Sequence, residues 1–128
     1  MIVVDASALL ELLLDTPRGT VVAQRLAKDK PHAPHLIDVE VAQTVRRFVR
    51  RRELDPARGL QALEDLADLG VVRHPHYLHL ERIWELRHNL TAYDAVYVAL
   101  AEALDAPLLT RDASLASAPG LQVNIELI

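Results

Sequence analysis

Met1-Ile2-Val3-Val4-Asp5-Ala6-Ser7-Ala8-Leu9 opens the chain and decides its fold class. The first four residues form a continuous apolar run rich in β-branched side chains, which is typical of a strand buried in a parallel sheet. The run ends sharply at an aspartate, and from Ser7 onward the apolar residues recur at helical spacing. The sequence therefore predicts a buried strand that leads directly into a helix.

The same alternation of short strands and helices continues along the chain. Further strands are predicted at residues 31–35, 71–72, 107–110 and 121–127. Further helices are predicted at residues 19–28, 36–52, 55–69, 76–88, 91–104 and 112–116. This order predicts one domain over residues 1–128, a three-layer α/β/α fold with a mostly parallel sheet of about five short strands.

Composition excludes several classes of protein. The chain has 128 residues, of which 51% are hydrophobic and 25% charged, so it is neither disordered nor collagen-like. No apolar run reaches the roughly 18 uninterrupted residues of a membrane span. Without cysteine there is no disulfide, thiolate metal site or cysteine nucleophile. The chain begins without a basic leader segment, so we expect a soluble cytoplasmic protein without a membrane partner.

Two acidic residues stand where parallel sheets bind ligands, at the carboxyl ends of predicted strands. Asp5 follows the first strand and Asp112 follows the strand that ends at Thr110. Glu40 and Asp94 lie within predicted helices in otherwise apolar surroundings. Carboxylates that share one pocket repel each other, and a divalent cation relieves that repulsion. Oxygen ligands without cysteine favour Mg²⁺ or Mn²⁺ over Zn²⁺.

Each of these carboxylates also has a purely structural alternative. Asp94 follows Thr91 by three residues, which fits a capping box. Asp112 could cap the short helix after it, and Glu40 could face solvent. The structural alternative for Asp5 is a turn in which its side chain bonds the amide of Ser7.

The basic residues are concentrated in one stretch, although the formal net charge is −4. Five arginines fall within residues 46–52. Arg47 and Arg51 share a helical stripe with Glu40, which suggests a path for a phosphate backbone leading away from the acidic pocket. The alternative is a solvated helix end favoured by the helix dipole. Arg111, next to Asp112, is another candidate phosphate contact.

Four segments of the chain together resemble the motifs of PIN-domain nucleases. In chain order they are Val4-Asp5-Ala6-Ser7-Ala8-Leu9, Leu36-Ile37-Asp38-Val39-Glu40-Val41-Ala42, Leu90-Thr91-Ala92-Tyr93-Asp94-Ala95-Val96-Tyr97-Val98-Ala99-Leu100-Ala101 and Leu109-Thr110-Arg111-Asp112. Their order and spacing, and the length of the chain, resemble the VapC toxins of VapBC type II toxin–antitoxin pairs. The third segment is the most specific of the four.

The resemblance implies a PIN-like fold and a Mg²⁺-dependent endoribonuclease, with Mn²⁺ as the other candidate ion. Asp5 and Asp94 would hold the principal metal, with Glu40 assisting and Asp112 completing a second, weaker site. Some relatives carry a further acidic residue just after the fourth motif, where this chain has serines. Ser7 and Thr110 would orient the carboxylates or contact metal-bound water.

The same resemblance implies several partners. These are an RNA substrate, a cognate VapB-like antitoxin and a second copy of the chain in a homodimer. DNA would be contacted only indirectly, through the antitoxin.

Other functions have weaker support in the sequence. A histidine zinc site is suggested by His74, His76 and His79, but there is no HExxH pattern. Trp84 is predicted to lie in the core or on a dimer face rather than to stack on RNA. No P-loop is present, because no glycine is followed by lysine. The main alternative is a catalytically weak PIN-like domain that binds RNA or a partner protein.

Overall fold

A single parallel sheet organises the protein, whose residues 1–128 are described by a computed structural model. The strands are β1 Ile2–Val4, β2 Pro31–Pro34, β3 Val72–His74, β4 Leu108–Thr110 and β5 Ile125–Leu127. Their order across the sheet is β3-β2-β1-β4-β5, and every neighbouring pair is parallel. The predicted sheet of about five strands is thus confirmed and is parallel throughout. The first strand of the chain lies at its centre.

Seven α-helices and one 3₁₀ turn connect the strands. The helices are α1 Ala6–Leu13, α2 Gly19–Leu26, α3 Leu36–Arg50, α4 Pro56–Asp68, α5 Leu80–Glu85, α6 Ala92–Leu104 and α7 Ala113–Ala116. The 3₁₀ turn spans Tyr77–His79. None of the helices combines the length and the apolar character needed to cross a membrane.

Helices cover both faces of the sheet. Ile2, Val3 and Val4 are all fully buried, although successive side chains of a strand point to opposite faces. Helices α1 to α4 pack on one another, whereas α6 packs on β1, β2 and β4 and carries α5 on its other side. Seven consecutive residues of α6, from Ala95 to Ala101, are buried, as predicted from its nearly uniform apolar sequence.

Two predicted elements are shorter in the structure. Residues 76–88 do not form one helix: a 3₁₀ turn precedes the six-residue α5, and Leu80 and Trp84 of its apolar stripe remain exposed. The last strand begins at Ile125 rather than at residue 121 because β4 offers only three residues for pairing. The amide of Gln122 instead donates to the side chain of Glu102, at 2.8 Å.

Candidate metal-dependent active site

A cavity of about 410 Å³ opens at the carboxyl ends of β1 and β4. Its lining includes all four carboxylates predicted from the sequence, Asp5, Glu40, Asp94 and Asp112. They are brought there by β1, α3, α6 and the start of α7, which are far apart in the sequence. This is the position where open parallel sheets bind their ligands.

Asp5 is buried in the cavity wall, with only 8% of the residue exposed. It is the N-cap of α1: its Oδ1 accepts hydrogen bonds from the amide of Ala8 at 3.0 Å and the hydroxyl of Ser7 at 2.6 Å. Its Oδ2 accepts the hydroxyl of Thr110. Burial raises the pKa of the Asp5 carboxyl, and the charge of Asp94 raises it slightly further, although these three hydrogen bonds oppose the shift.

The two predicted hydroxyl partners join the ends of β1 and β4. Thr110 is fully buried, and its Oγ1 accepts the amide of Asp112 at 3.0 Å while its hydroxyl donates to Asp5. The Ser7 hydroxyl donates to Asp5 and its oxygen accepts the amide of Arg111 at 3.0 Å. These contacts fix the backbone around Asp112 relative to the carboxylate of Asp5.

Glu40 is half-buried and receives a hydrogen bond that the sequence analysis did not predict. The Tyr97 hydroxyl donates to Glu40 Oε1 at 2.6 Å. Burial is the main cause that raises the pKa of Glu40, with smaller contributions from the charges of Asp5 and Asp94. Tyr97 stands three residues after Asp94, so the two share one face of α6. That spacing is the signal by which sequence analysis could have found it.

Asp94 and Asp112 combine a capping position with a carboxylate in the cavity. The Asp94 amide donates to the Thr91 hydroxyl oxygen at 3.2 Å, as expected from the capping box. Burial, and to a smaller extent the charge of Asp112, raises the pKa of the Asp94 carboxyl. Asp112 caps α7 and accepts the amide and hydroxyl of Ser114, which hold its pKa below the ordinary value. The structural alternatives and the site are therefore compatible.

The predicted arginines separate in the structure. Arg47 and Arg111 line the cavity, whereas Arg51 is the exposed C-cap of α3 and is not part of the lining. The Arg111 guanidinium lies 2.7 Å from Glu11, and that of Arg47 contacts the Thr44 hydroxyl at 3.3 Å. Neither arginine neutralises the four carboxylates by direct pairing.

The side chains that line the cavity fit a Mg²⁺ ion that keeps several of its waters better than an ion held by protein ligands alone. Its candidate ligands are oxygen atoms, and the pKa values of three carboxyls are raised by burial and, to a smaller extent, by neighbouring negative charge. No group of three or more histidine or acidic side chains stands ready to hold an ion. Mg²⁺ keeps several waters and usually takes only one or two carboxylates, so such a cluster is not required.

Two other sequence hypotheses are not supported by the geometry. The histidines form no three-ligand group. Instead, His74 shares a 2.8 Å hydrogen bond with His32 on the neighbouring strand. Trp84 was predicted to lie in the core or on a dimer face, and the first of these is wrong: 67% of the residue is exposed, and it lies beneath the guanidinium of Arg87. Its helix has only six residues, too few to bury a full apolar stripe.

Tyr97→Phe tests the contact with Glu40. We expect the free energy of unfolding to fall by about 1–2 kcal/mol, because the half-buried Glu40 loses a hydrogen bond. Activity of the site should fall about tenfold, as is typical when a partner that orients a ligand is lost. Urea unfolding measures the first effect, and initial rates of the nuclease reaction that the sequence resemblance implies measure the second. The matched control is Tyr93→Phe, whose side chain is exposed on the same helix and should change neither value.

Comparisons with known proteins agree with the fold. Residues 2–121 match the PIN domain family. Ribonuclease VapC1 of Mycobacterium tuberculosis is 46% identical over 128 residues, which cover 98% of this chain and 96% of VapC1. The chain thus belongs to the PIN-domain family and, within it, to the VapC ribonucleases.

Solved structures show the same fold. The crystal structure of PAE2754 from Pyrobaculum aerophilum superposes with a TM-score of 0.72 and is 26% identical, covering 97% of this chain and 81% of that one. VapBC2 from Rickettsia felis, crystallised with a DNA fragment from its promoter, gives a TM-score of 0.68 at 15% identity. That match covers 99% of this chain and 98% of the other. At this low identity, the second structure supports the fold alone.

Proposed function

We propose that this chain is a Mg²⁺-dependent endoribonuclease and the toxin of a VapBC-type pair that acts in the cytoplasm. The observation that carries the proposal is the cavity at the end of the central strand, where Asp5, Glu40, Asp94 and Asp112 meet in a chain of the VapC group. Mn²⁺ is the alternative ion, because it accepts the same oxygen ligands.

The proposed roles of the residues are those that the resemblance to PIN-domain nucleases implies. A bound Mg²⁺ would lower the pKa of a coordinated water and neutralise the phosphate that is cleaved. Asp5 and Asp94 would hold the ion, with Glu40 assisting through direct or water-mediated contact. Asp112, whose charge raises the pKa of Asp94, would take part in a second, weaker site. Ser7, Thr110 and Tyr97 hold Asp5 and Glu40 in fixed orientations.

Arginines beside the acidic cavity would bind the RNA backbone. Arg47 and Arg111 line the cavity, and Arg51 stands one helical turn beyond Arg47 at the end of α3. An RNA strand that runs along α3 would meet Arg47 first and Arg51 next. Phosphate contacts of this kind favour RNA binding without reading its sequence.

Cleavage of labelled RNA by purified protein tests the proposal. We expect cleavage with Mg²⁺ or Mn²⁺ and none with excess EDTA, because the carboxylates alone cannot neutralise a phosphate. Restoring Mg²⁺ should restore the rate. RNA binding without cleavage, in protein that is folded and free of antitoxin, would instead favour a catalytically weak module that binds RNA or protein.

A VapB-like antitoxin is the proposed protein partner, supported by the identity to VapC1. DNA would then be contacted through the antitoxin rather than by this chain. Expression of the chain alone should slow bacterial growth, and co-expression of its cognate antitoxin should restore it. The Asp94→Asn variant serves as the control and should leave growth unchanged without antitoxin. Normal growth despite abundant, folded wild-type protein would contradict the toxin role.

A homodimer is the proposed oligomeric state. The surface of the 3₁₀ turn and α5 exposes Tyr77, Leu78, Leu80 and Trp84, each more than 60% exposed. Large apolar side chains grouped on one surface are typical of a protein interface. Sedimentation should give twice the mass of the chain, and Trp84→Asp should shift it to the monomer. A monomeric wild type would contradict this proposal.

A further inference from the structure

Glu11 is a buried carboxylate that the proposed mechanism does not use. It is 6% exposed, lies among leucines on α1 and lines the acidic cavity. A carboxylate in such a position is costly unless it has partners. Its Oε1 lies 2.7 Å from Nη1 of Arg111, and its Oε2 accepts the hydroxyl of Thr16. Each carboxylate oxygen is therefore engaged.

Arg111 is held at its backbone amide and at its guanidinium. Its amide donates to the Ser7 hydroxyl at 3.0 Å, and its guanidinium pairs with Glu11. Ser7 and Glu11 are four residues apart on α1, so they share one face and lie about 6 Å apart along the helix axis. The Arg111 side chain thus lies along α1 at the cavity wall, and 53% of it is exposed.

We propose that Glu11 is a positioning residue that holds Arg111 ready to bind the RNA phosphate next to the one cleaved, an inference that rests on the proposed nuclease function. A guanidinium has five N–H donors, and Glu11 engages one of its nitrogens. The remaining donors can bind phosphate oxygens in the planar arrangement that arginine favours.

A positioning role and a simple charge effect predict opposite changes in RNA affinity when Glu11 is replaced by glutamine. Glutamine keeps the shape of the side chain and its contact with Thr16, but it loses the charge. If Glu11 acted only by repelling RNA, its removal would tighten RNA binding. If Glu11 positions Arg111, binding weakens by about three- to tenfold, the effect of one charged contact at a half-exposed site.

Fluorescence anisotropy with a labelled single-stranded RNA of mixed sequence tests this inference. The Asp94→Asn background prevents cleavage of the probe. Glu11→Gln and Arg111→Ala should raise the Kd equally. Each should also reduce the slope of log Kd against the logarithm of the salt concentration by about 0.7, the value of one phosphate contact on a single strand. The double variant should bind no more weakly than Arg111→Ala alone, because both changes remove one interaction. Glu64→Gln, an exposed glutamate on α4, is the matched control.

Tighter or unchanged binding by folded Glu11→Gln protein would overturn the inference, as would strictly additive effects in the double variant. Thermal melting shows that each variant is folded. The proposed nuclease function fails separately: wild-type protein that shows this binding pattern but cleaves no RNA would contradict catalysis and leave the role of Glu11 in place.

Discussion

Asp94→Asn should reduce RNA cleavage by at least about a hundredfold while leaving the protein folded. The substitution keeps the shape of the side chain and its backbone bond to Thr91. It removes one of the two charges proposed to hold the metal, and loss of a single electrostatic group in an active site commonly costs this much. Initial rates at saturating Mg²⁺ measure the effect. Cleavage that survives the substitution would show that the site is placed wrongly.

The same variant should be more stable than wild type at neutral pH when metal is absent. Burial and the charge of Asp112 raise the pKa of Asp94 above its ordinary value of 3.8. A carboxyl with a raised pKa stabilises the fold below pH 3.8, and this contribution is lost as the pH rises through the raised value. The gain in the free energy of unfolding on replacing Asp94 should therefore appear at pH 7 and vanish near pH 3.

Chemical unfolding at the two pH values measures this difference. Asp105→Asn is the matched control, because Asp105 ends the same helix in a left-handed conformation that asparagine also tolerates. It should alter neither cleavage nor the pH dependence of stability. Equal gains for the two variants would contradict the assignment of the effect to the cavity.

Thr110→Val should reduce both stability and cleavage. Valine has nearly the same shape, so the change removes the hydroxyl without opening a cavity. The amide of Asp112 then loses its acceptor and Asp5 loses a donor, both close to the fully buried side chain. We expect the free energy of unfolding to fall by about 1–3 kcal/mol. Cleavage should fall about 10- to 100-fold, as for other groups that orient metal ligands.

Thr20→Val is the control that distinguishes loss of the Thr110 hydroxyl from a general effect of replacing threonine by valine. Thr20 is exposed on α2, away from the cavity, and should tolerate valine without change in either measurement. Addition of Mg²⁺ should raise the melting temperature of wild type more than that of Thr110→Val, because Asp5 is no longer held in place. An equal rise in both proteins would contradict the orienting role.

Sequence patterns predicted those parts of the fold that depend on local signals. The apolar run before Asp5 and the apolar segment of α6 each predicted an element that the structure contains. Asp5 and Asp112 could be assigned to one site because strand ends meet at the same edge of a parallel sheet. Glu40 and Asp94 lie in helices, and it was the resemblance to the PIN-domain motifs that assigned them to the same site. Their side chains do line one cavity.

The features that sequence analysis missed depend on contacts between distant residues. The sequence did not single out Glu11, and only the approach of Arg111 shows why this carboxylate is buried. The role of Tyr97 depends on Glu40, which lies 57 positions earlier in the sequence. The start of β5 was misjudged because the length of its partner strand sets it. Local propensity carries no information about such partners.

The central position of β1 has a consequence for protein synthesis. β1 is synthesised before its neighbour β4, which lies far along the sequence. Asp5 gains its Thr110 partner 105 residues later, and Asp112 arrives later still. A nascent chain that stops short of these residues has no complete acidic pocket. For the nuclease proposed here, the ribosome that makes the chain is protected from it until β4 and Asp112 have been made.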